Sequence, residues 1–308
     1  MNDLYDMLGI SKQAHHKSIK GVHRSVQRAS LIVTACNNIR KHHRRIGCVK
    51  MYSLLCGAVG LGRDRFLACC RDQGLFIRQR RNPYRTTVAA KVNLCDNLID
   101  GMNINGINQI WQSDIFYIKD GNRQKYGYTI IDVYSRRLIS LHLADNLRAE
   151  NLKKAIEIAI RKRKPGQLKG CIFHSDRGSQ YVDSEVRKLL KKLGMKQSMA
   201  VRPQQNSYAE RVQGTIKNEY LLDSDETRSM KSRFTKTMNL YNIERPHKNL
   251  GMINPVEFER KINNLPKSKR PELQIYQWIE PVLTFPADIN KKEKSSKKEK
   301  TNTYSLIN

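Results

Sequence analysis

The amino-acid sequence predicts an α/β protein in which a small helical, basic region precedes a mixed β-sheet flanked by helices. Three strand-like segments follow one another and then alternate with helices, in the order βββαβαβα. This order is typical of a mixed sheet with helices packed on it. The chain has 308 residues, of which 39% are hydrophobic and 28% are charged. Such a composition indicates a globular protein, and the length suits about two domains.

Residues 1–90 form the predicted helical, basic region. Ser11 is placed to cap a helix, and two further helical stretches cover residues 38–56 and 63–72. Residues 75–81 are predicted to form a short strand or a basic wing. Helix pairs rich in arginine suit the major groove of DNA. A plain helical subdomain fits the same pattern equally well.

The predicted sheet and its helices occupy residues 109–262, after a predicted linker at residues 91–108. Alternating apolar residues predict strands, whereas apolar residues spaced three and four apart predict helices. The predicted strands are 111–118, 126–134, 138–144, 169–174 and 195–200, and the predicted helices lie at 152–160, 184–193 and 208–221. Residues 263–308 are predicted to be a basic tail whose lysine-rich end is solvated.

The charge of the chain predicts a polyanionic partner. There are 57 Lys and Arg residues against 28 Asp and Glu, which gives a formal charge of +29. Both ends of the chain are basic, and most acidic residues lie between them. A charge of this size on a soluble protein points to DNA or RNA.

The sequence also predicts the compartment. No uncharged, apolar stretch is long enough to span a bilayer, and the polar N-terminal residues do not resemble a secretory signal. The seven cysteines are odd in number and lie mostly in apolar segments, which favours reduced thiols in the cytoplasm. The pairs His42-His43 and Cys69-Cys70 could suggest zinc, but zinc ligands are usually separated by two or more residues.

Three carboxylates are candidates for catalysis. Asp114 lies within the first predicted strand of the sheet, Asp176 ends the fourth, and Glu210 lies on the last predicted helix. A carboxylate in a central strand is costly unless it is paired or binds a metal, and sites form at strand ends of open α/β sheets. Three such carboxylates could hold two Mg²⁺ or Mn²⁺ ions for phosphoryl transfer. Taken singly, each could be a turn former or a solvated side chain.

The sequence resembles the catalytic-frame transposases of the insertion-sequence three family over roughly residues 38–262. The motifs that carry the resemblance are Trp111-x-x-Asp114-Ile115-x-Tyr117-Ile118, Ile131-Asp132-x-Tyr134-Ser135-Arg136, His174-Ser175-Asp176-Arg177-Gly178-Ser179-Gln180-Tyr181, Asn206-x-x-Ala209-Glu210-Arg211-x-x-Gly214-x-x-Lys217-x-Glu219 and Tyr241-Asn242-x-x-Arg245-Pro246-His247-x-x-Leu250. The third motif is highly specific, and the others are strong in this order.

This resemblance implies a retroviral-integrase-like core with a ribonuclease H-like fold. It implies that Asp114, Asp176 and Glu210 are the catalytic triad and metal ligands, with Mg²⁺ or Mn²⁺ as cofactor. The reaction would be cleavage of element ends and strand transfer into target DNA by phosphodiester transesterification. DNA contacts would come from Lys217, Arg211, Arg245, His247, Arg40 and Arg63, although Arg245 and His247 could instead brace the helices. Asp132 is expected to be structural.

The same resemblance implies partners. These are the DNA of the element ends and the target, further copies of the chain in a homo-oligomer on DNA, and an upstream-frame helix-turn-helix protein. No membrane is implied.

One departure from the family pattern leaves alternatives open. Only 33 residues separate Asp176 from Glu210, two fewer than is usual in the family, and the deficit falls at residues 201–205. Gln205 also stands where the family often has an acid. A catalytically impaired DNA-binding regulator of transposition is therefore an alternative. A nuclease that acts on RNA–DNA hybrids shares the metal chemistry, but it leaves the basic helical region unexplained.

Overall fold

The computed structural model describes residues 5, 7, 9–55, 57–77, 95–163, 165–221 and 229–277. The described residues up to Tyr276 form one compact unit. No helix in the described ranges is both long and apolar enough to cross a membrane.

Three helices form the N-terminal region: α1 at Lys12–His42, α2 at Cys48–Leu54 and α3 at Arg63–Asp72. They pack around a core that includes Ile32, Cys36, Ile46, Met51 and Phe66. As predicted, the Ser11 hydroxyl caps α1 by accepting the N–H of Ala14 at 3.1 Å.

The predicted helix at 38–56 is two helices in the structure. α1 ends at His42, and α2 begins at Cys48 after Gly47, which has an extended backbone. Ile46, in the turn between them, is buried in the core of this region. Residues 75–77 form no strand, and residues 78–81 of the predicted strand or wing lie outside the described residues.

Residues 95–108 pack on the protein, although they were predicted to be part of a linker. Strand β1, Asn103–Ile104, pairs in antiparallel fashion with β7, Leu273–Gln274. Ile99 and Ile104 are buried in one cluster with Val133 and Ile262. The apolar residues of this segment are too few for a periodic signal, but they fill a groove formed by distant parts of the chain. Part of the predicted tail is therefore ordered through β7.

The centre of the protein is a five-stranded mixed sheet, as predicted. Its strands are β2 at Ile110–Asp120, β3 at Arg123–Asp132, β4 at Leu138–Ala144, β5 at Ile172–Ser175 and β6 at Lys196–Met199. They lie in the order β4-β3-β2-β5-β6. β3 runs antiparallel to both of its neighbours, β2 and β4, whereas β2, β5 and β6 are parallel. This is the ribonuclease H-like arrangement expected for the core.

Helices cover both faces of the sheet. Helices α4, Ala149–Arg161, and α5, Ser184–Lys192, pack on one face. Helices α6, Ser207–Thr215, and α7, Met230–Asn239, pack on the other. Successive strand residues serve opposite faces, since Ile130 belongs to the first cluster and Ile131 to the second. The Asp183 carboxylate caps α5, as predicted.

Helices α6 and α7 each end in a wider π-helical segment, at Ile216–Leu221 and Leu240–Glu244 respectively. A final helix, α8, covers Pro255–Asn263. Asp132 at the end of β3 accepts the backbone N–H groups of Asn108 at 2.6 Å and Ser135 at 2.8 Å. These contacts agree with the structural role predicted for Asp132.

The helical region contacts the π-helical ends of α6 and α7. The buried ring of His43 lies with Nδ1 3.0 Å from the Tyr220 hydroxyl and Nε2 3.3 Å from Glu244. The Ser53 hydroxyl lies 3.4 Å from the carbonyl oxygen of Met252. Burial lowers the pKa of His43, against the opposing effect of Glu244.

Candidate active site

Two of the predicted carboxylates lie side by side on neighbouring parallel strands. Asp114 belongs to β2 and Asp176 directly follows β5. The register pairs Ser113 with Ser175, the residues that precede them. Because β2 and β5 run in the same direction, the two carboxylates reach the same region of the sheet, where β5 ends.

The carboxylate of Asp114 carries a large electrostatic cost. Burial, together with the carboxylates of Asp176 and Glu210, raises the pKa of Asp114 to about 7. The backbone N–H of Ile115, 2.9 Å from Oδ1, and the ammonium of Lys217 act in the opposite direction. Asp114 therefore lies in a place that disfavours its charged form.

Glu210 completes this group from the other side of the site. It lies in the first turn of α6 with an exposed side chain. Partial burial and the charge of Asp176 raise the pKa of Glu210. Partial burial also raises the pKa of Asp176, whose Oδ1 accepts the N–H of Gly178 at 3.1 Å. The three carboxylates are thus close enough to affect one another's ionisation.

Lys217 lies two helical turns after Glu210, at the start of the π-helical segment. Its Nζ is 5.3 Å from the centre of the Phe116 ring, within the range of a cation–π contact. Burial lowers the pKa of Lys217, and the negative charge of Asp114 opposes this effect. A cation therefore stands beside the carboxylates.

The shortened segment before Glu210 forms a single 3₁₀ turn, Pro203–Asn206, that leads directly into α6. The Gln205 side chain closes this turn. Its Oε1 accepts the N–H groups of Val201 at 2.7 Å and Arg202 at 3.0 Å. An acid at this position could accept the same two bonds, so glutamine replaces it here without loss of these contacts.

The other predicted DNA-binding residues differ in accessibility. Arg211 is exposed next to Glu210, and Arg63 is exposed at the start of α3, where its Nε lies 3.1 Å from Asp64. Arg40 is only partly exposed and donates to the carbonyl oxygen of Leu75. Arg40 therefore fastens the segment that follows α3 to the end of α1.

Arg245 and His247 lie in the interior, with exposed fractions of 5% and 9%. The Arg245 guanidinium donates to both carboxylate oxygens of Glu219, at 2.9 and 2.6 Å. Burial, reinforced by the Arg245 charge, lowers the pKa of His247 to about 3. The predicted DNA contact does not fit this burial. Bracing of the helices, the alternative stated for both residues, accounts for their positions.

The three carboxylates do not converge into a closed ligand cluster. Among the residues that the structure describes, no group of three or more His, Cys, Asp or Glu side chains is placed to hold a metal ion. His43, one of the residues considered for zinc, contacts Tyr220 and Glu244. The site is therefore a group of carboxylates that interact electrostatically, with Asp114 on β2, Asp176 directly after β5 and Glu210 on α6.

Comparison with protein families matches the same part of the chain. Two family models, both described as integrase core domain, match residues 105–204 and 193–255. The first range includes Asp114 and Asp176, and the second includes Glu210.

A relative extends the match beyond the core. The insertion element IS600 uncharacterized 31 kDa protein of Shigella sonnei is 30% identical over 215 residues, which are 67% of this chain and 77% of that protein. The chain belongs to the transposases of the insertion-sequence three family. This transposase is accordingly a polynucleotidyl transferase of the DDE type that acts on DNA.

Two named transposases show the same relationship. The transposase for insertion sequence element IS904 of Lactococcus lactis is 26% identical over 228 residues, 71% of this chain and 89% of that protein. Transposase InsF for insertion sequence IS3A of Escherichia coli K12 is 26% identical over 203 residues, 63% of this chain and 69% of that protein.

Solved integrase structures are also similar to the transposase. The HTLV-2 integrase catalytic core domain in complex with magnesium has 19% identity and a TM-score of 0.41, and the match covers 49% of this chain and 95% of that one. A simian T-cell lymphotropic virus intasome in complex with a PP2A regulatory subunit has 15% identity and a TM-score of 0.45, with 82% and 80% covered.

Proposed function

We propose that Asp114, Asp176 and Glu210 are the catalytic carboxylates of this transposase and that they hold its divalent cations. The observation that carries the proposal is their electrostatic grouping. Asp114 is buried on β2, Asp176 follows the adjacent parallel strand, and Glu210 lies in the first turn of α6. The charge of Asp176 raises the pKa of both Asp114 and Glu210, and that of Glu210 also raises the pKa of Asp114. Groups of perturbed carboxylates are typical of functional sites.

The donor set fits two Mg²⁺ or Mn²⁺ ions in chemistry and charge. All three side chains offer carboxylate oxygens, which are the ligands these cations prefer. Their mutual repulsion is the interaction that a bound cation relieves. When bound, a pair of such ions activates an oxygen nucleophile and stabilises the leaving oxygen of an in-line displacement.

The residues around the carboxylates suit a DNA substrate. Lys217, beside Asp114, is placed to hold a phosphate of the DNA strand. Arg211 on the same helix and Arg63 on α3 are exposed and would contact the DNA backbone. The reaction would be cleavage at the element ends by water, followed by attack of the DNA 3′-hydroxyl on target DNA.

The working assembly would contain more than this chain. We infer a homo-oligomer on DNA, since two element ends must be joined to one target. An upstream-frame helix-turn-helix protein would help to find those ends. Residues 1–90 would serve DNA binding and residues 109–262 catalysis, in the cytoplasm and in contact with the nucleoid DNA.

A strand-transfer assay tests this proposal. Purified protein, Mg²⁺ or Mn²⁺ and labelled DNA carrying the ends of its own element would be incubated, and joined product measured. We expect product that requires metal and that is lost in Asp176→Asn. Asp145→Asn, which changes an exposed aspartate paired with Lys125, is the matched control and should keep activity.

The alternative, an impaired DNA-binding regulator, predicts DNA binding without product. If the chain alone binds but makes no product, the assay is repeated with the upstream frame fused to it. Product from the fusion supports a missing partner, whereas continued absence supports the regulator. Product that persists in Asp176→Asn would refute the proposed triad.

A further inference from the structure

The start of α6 is fastened to the sheet by two buried side chains that no catalytic role explains. Gln112 on β2 has an exposed fraction of 0%, and Asn206, the residue before α6, has 2%. Buried amides of this kind must find hydrogen-bond partners, because leaving them without any costs free energy. The hydrogen-bond partners of Gln112 and Asn206 indicate the role of each side chain.

Gln112 takes the place of the helix cap. Its Oε1 accepts the backbone N–H groups of Tyr208 at 3.1 Å and Ala209 at 3.2 Å, and its Nε2 donates to the carbonyl oxygen of Gln205 at 3.0 Å. The first N–H groups of a helix have no partner within the helix. Here a side chain from the sheet supplies that partner.

Asn206 makes the reciprocal contact. Asparagine before a helix normally caps it with its own side chain, but the Asn206 side chain makes no such bond. Instead its Nδ2 donates to the carbonyl oxygen of Ser113 at 3.0 Å. The helix start and the strand therefore hold each other by one side chain in each direction.

These contacts join the segments that carry two of the carboxylates, Asp114 on β2 and Glu210 on α6. Gln112 is two residues before Asp114, so both side chains leave β2 on the same face. Ala209, which Gln112 binds, is directly before Glu210. Apolar packing of Val212 and Ile216 on the sheet is non-directional, whereas hydrogen bonds to backbone atoms fix the position of the helix start.

The neighbouring strands extend the same polar row. The register places His174 opposite Gln112 and Ser198 opposite His174. Both are buried, and His174 Nδ1 lies 2.9 Å from the Ser198 hydroxyl. A row of buried polar side chains therefore crosses three strands, and its member Gln112 donates to the carbonyl oxygen of Gln205 in the 3₁₀ turn.

We propose that Gln112 and Asn206 are positioning residues, which fix α6 and thereby Glu210 relative to Asp114. This inference rests on the catalytic role proposed for Glu210. Residues that orient metal ligands typically change metal affinity or activity by about 10- to 100-fold when replaced.

The test compares Gln112→Met with a matched control, Gln109→Met. Gln109 Oε1 also accepts two backbone N–H groups, those of Asn105 and Gly106 at 2.8 Å each, but it does not touch α6. Four quantities are measured in the full chain: thermal unfolding, Mn²⁺ binding without DNA by electron paramagnetic resonance, hydrogen exchange over residues 206–212, and strand transfer.

We expect Gln112→Met to fold, to exchange the amides of Tyr208 and Ala209 faster, and to lose about tenfold in Mn²⁺ affinity and strand transfer. Gln109→Met should stay within about twofold of the wild type in both, because the two backbone hydrogen bonds that it removes lie at Asn105 and Gly106 and not at α6. A folded Gln112→Met protein with wild-type Mn²⁺ affinity and activity overturns the proposal, as does an equal loss in the two variants.

If Gln112→Met does not fold, Asn206→Ser decides, since serine still caps a helix but is too short to reach Ser113. Unchanged Mn²⁺ affinity in that variant overturns the proposal, and so does failure of both variants to fold. Glu210→Gln is measured in parallel: if it keeps full activity, the proposed triad fails, whatever Gln112→Met does.

Discussion

Asp114 is a buried carboxylate whose charged form is costly in the folded protein. Its pKa of about 7 in the folded protein lies above the ordinary value of 3.8. The folded state therefore binds more protons than the unfolded state between these values. By linkage, the free energy of unfolding falls as the pH rises through this window.

We predict that Asp114→Asn stabilises the metal-free protein above pH 7 while abolishing strand transfer. Removing the ionisable group removes the cost, which is on the order of 2 to 4 kcal/mol. Denaturant unfolding in the presence of a chelator, at pH 5 and pH 8, would measure it. The wild type should lose stability between these two values relative to the variant. Parallel pH dependences of the two proteins would contradict the prediction.

Glu259 illustrates the opposite case, a buried carboxylate that is fully paired. It contacts the guanidinium groups of Arg163, with Nη1 at 2.8 Å, and Arg137, and it accepts the Ser135 hydroxyl at 2.7 Å. The guanidinium charges hold the pKa of Glu259 below its usual value despite burial. Removing one partner of such a buried network leaves uncompensated charge.

Glu259→Gln should therefore lower the free energy of unfolding by about 3 to 5 kcal/mol. Glu257→Gln, on the same helix, is the control, because Glu257 pairs with the exposed Lys261 at 3.3 Å. Its effect should stay below about 1 kcal/mol. Urea unfolding at pH 7 measures both. Equal midpoints for the two variants would contradict the prediction.

For single residues, the sequence predicts those features that depend on neighbouring positions in the chain. It selects Asp114, Asp176 and Glu210, because strand ends and helix faces can be located from periodicity. It does not reveal that Arg245 is buried, since its partner Glu219 is 26 residues away. It also misses Gln112, whose role depends on the helix start 96 residues later.

Among the elements, the pairing of β2 with β3 depends on a glycine. Phe116 lies opposite Gly127 across the two strands, and a Cβ atom on Gly127 would come within 2.5 Å of the Phe116 ring. The same ring stacks on Phe234 and faces the Lys217 ammonium. Gly127 thus makes room for the ring that supports Lys217.

We predict that Gly127→Ala lowers the stability by about 1 to 3 kcal/mol, because the ring must move to accommodate the methyl group. Because the Phe116 ring contacts the Lys217 ammonium, movement of the ring should also displace Lys217. The decrease in strand transfer should therefore exceed the decrease in the folded fraction of the protein. Gly166→Ala, at a position with no atom within 4 Å of the added Cβ, is the control. Thermal unfolding and strand transfer at a temperature where both variants are folded provide the comparison. A Gly127→Ala protein as stable as the control would refute this packing argument.

The boundaries of helices and strands are likewise predictable where they depend on local sequence, and not where they depend on tertiary contacts. The strand at 138–144 and the helix at 63–72 match their predictions because their periodic signals are complete. The break between α1 and α2 and the packing of residues 95–108 were not predicted, because both depend on tertiary contacts. In each case a short apolar group, such as Ile46 or Ile104, is drawn into a core formed by other segments.

For the whole molecule, the distribution of charge matters more than its total. Helix α1 has no acidic residue, and Lys17, Lys20, Arg24 and Arg28 are exposed along one face of it. A row of cations at this spacing can follow a DNA backbone, and each phosphate contact adds to the salt dependence of binding.

Replacing Lys17, Lys20, Arg24 and Arg28 by Gln should weaken DNA binding and reduce the salt slope, log Kd against log salt, by about 3 to 4. The control replaces four exposed lysines near β6, namely Lys169, Lys191, Lys192 and Lys196, which changes the net charge equally. Binding isotherms at several salt concentrations measure the slopes. Equal slopes for the two quadruple variants would show that total charge, not its position, governs binding.

The contacts of His43 with Tyr220 and Glu244 join the helical region to the part of the protein that carries the carboxylates. The buried His43 ring, directly after α1, contacts the π-helical end of α6 through Tyr220 and that of α7 through the exposed Glu244. A DNA segment bound by the helical region would therefore lie at a fixed distance from the three carboxylates. We expect the position of cleavage to depend on this distance. One base pair inserted between the bound segment and the element end should therefore move the cut by one nucleotide.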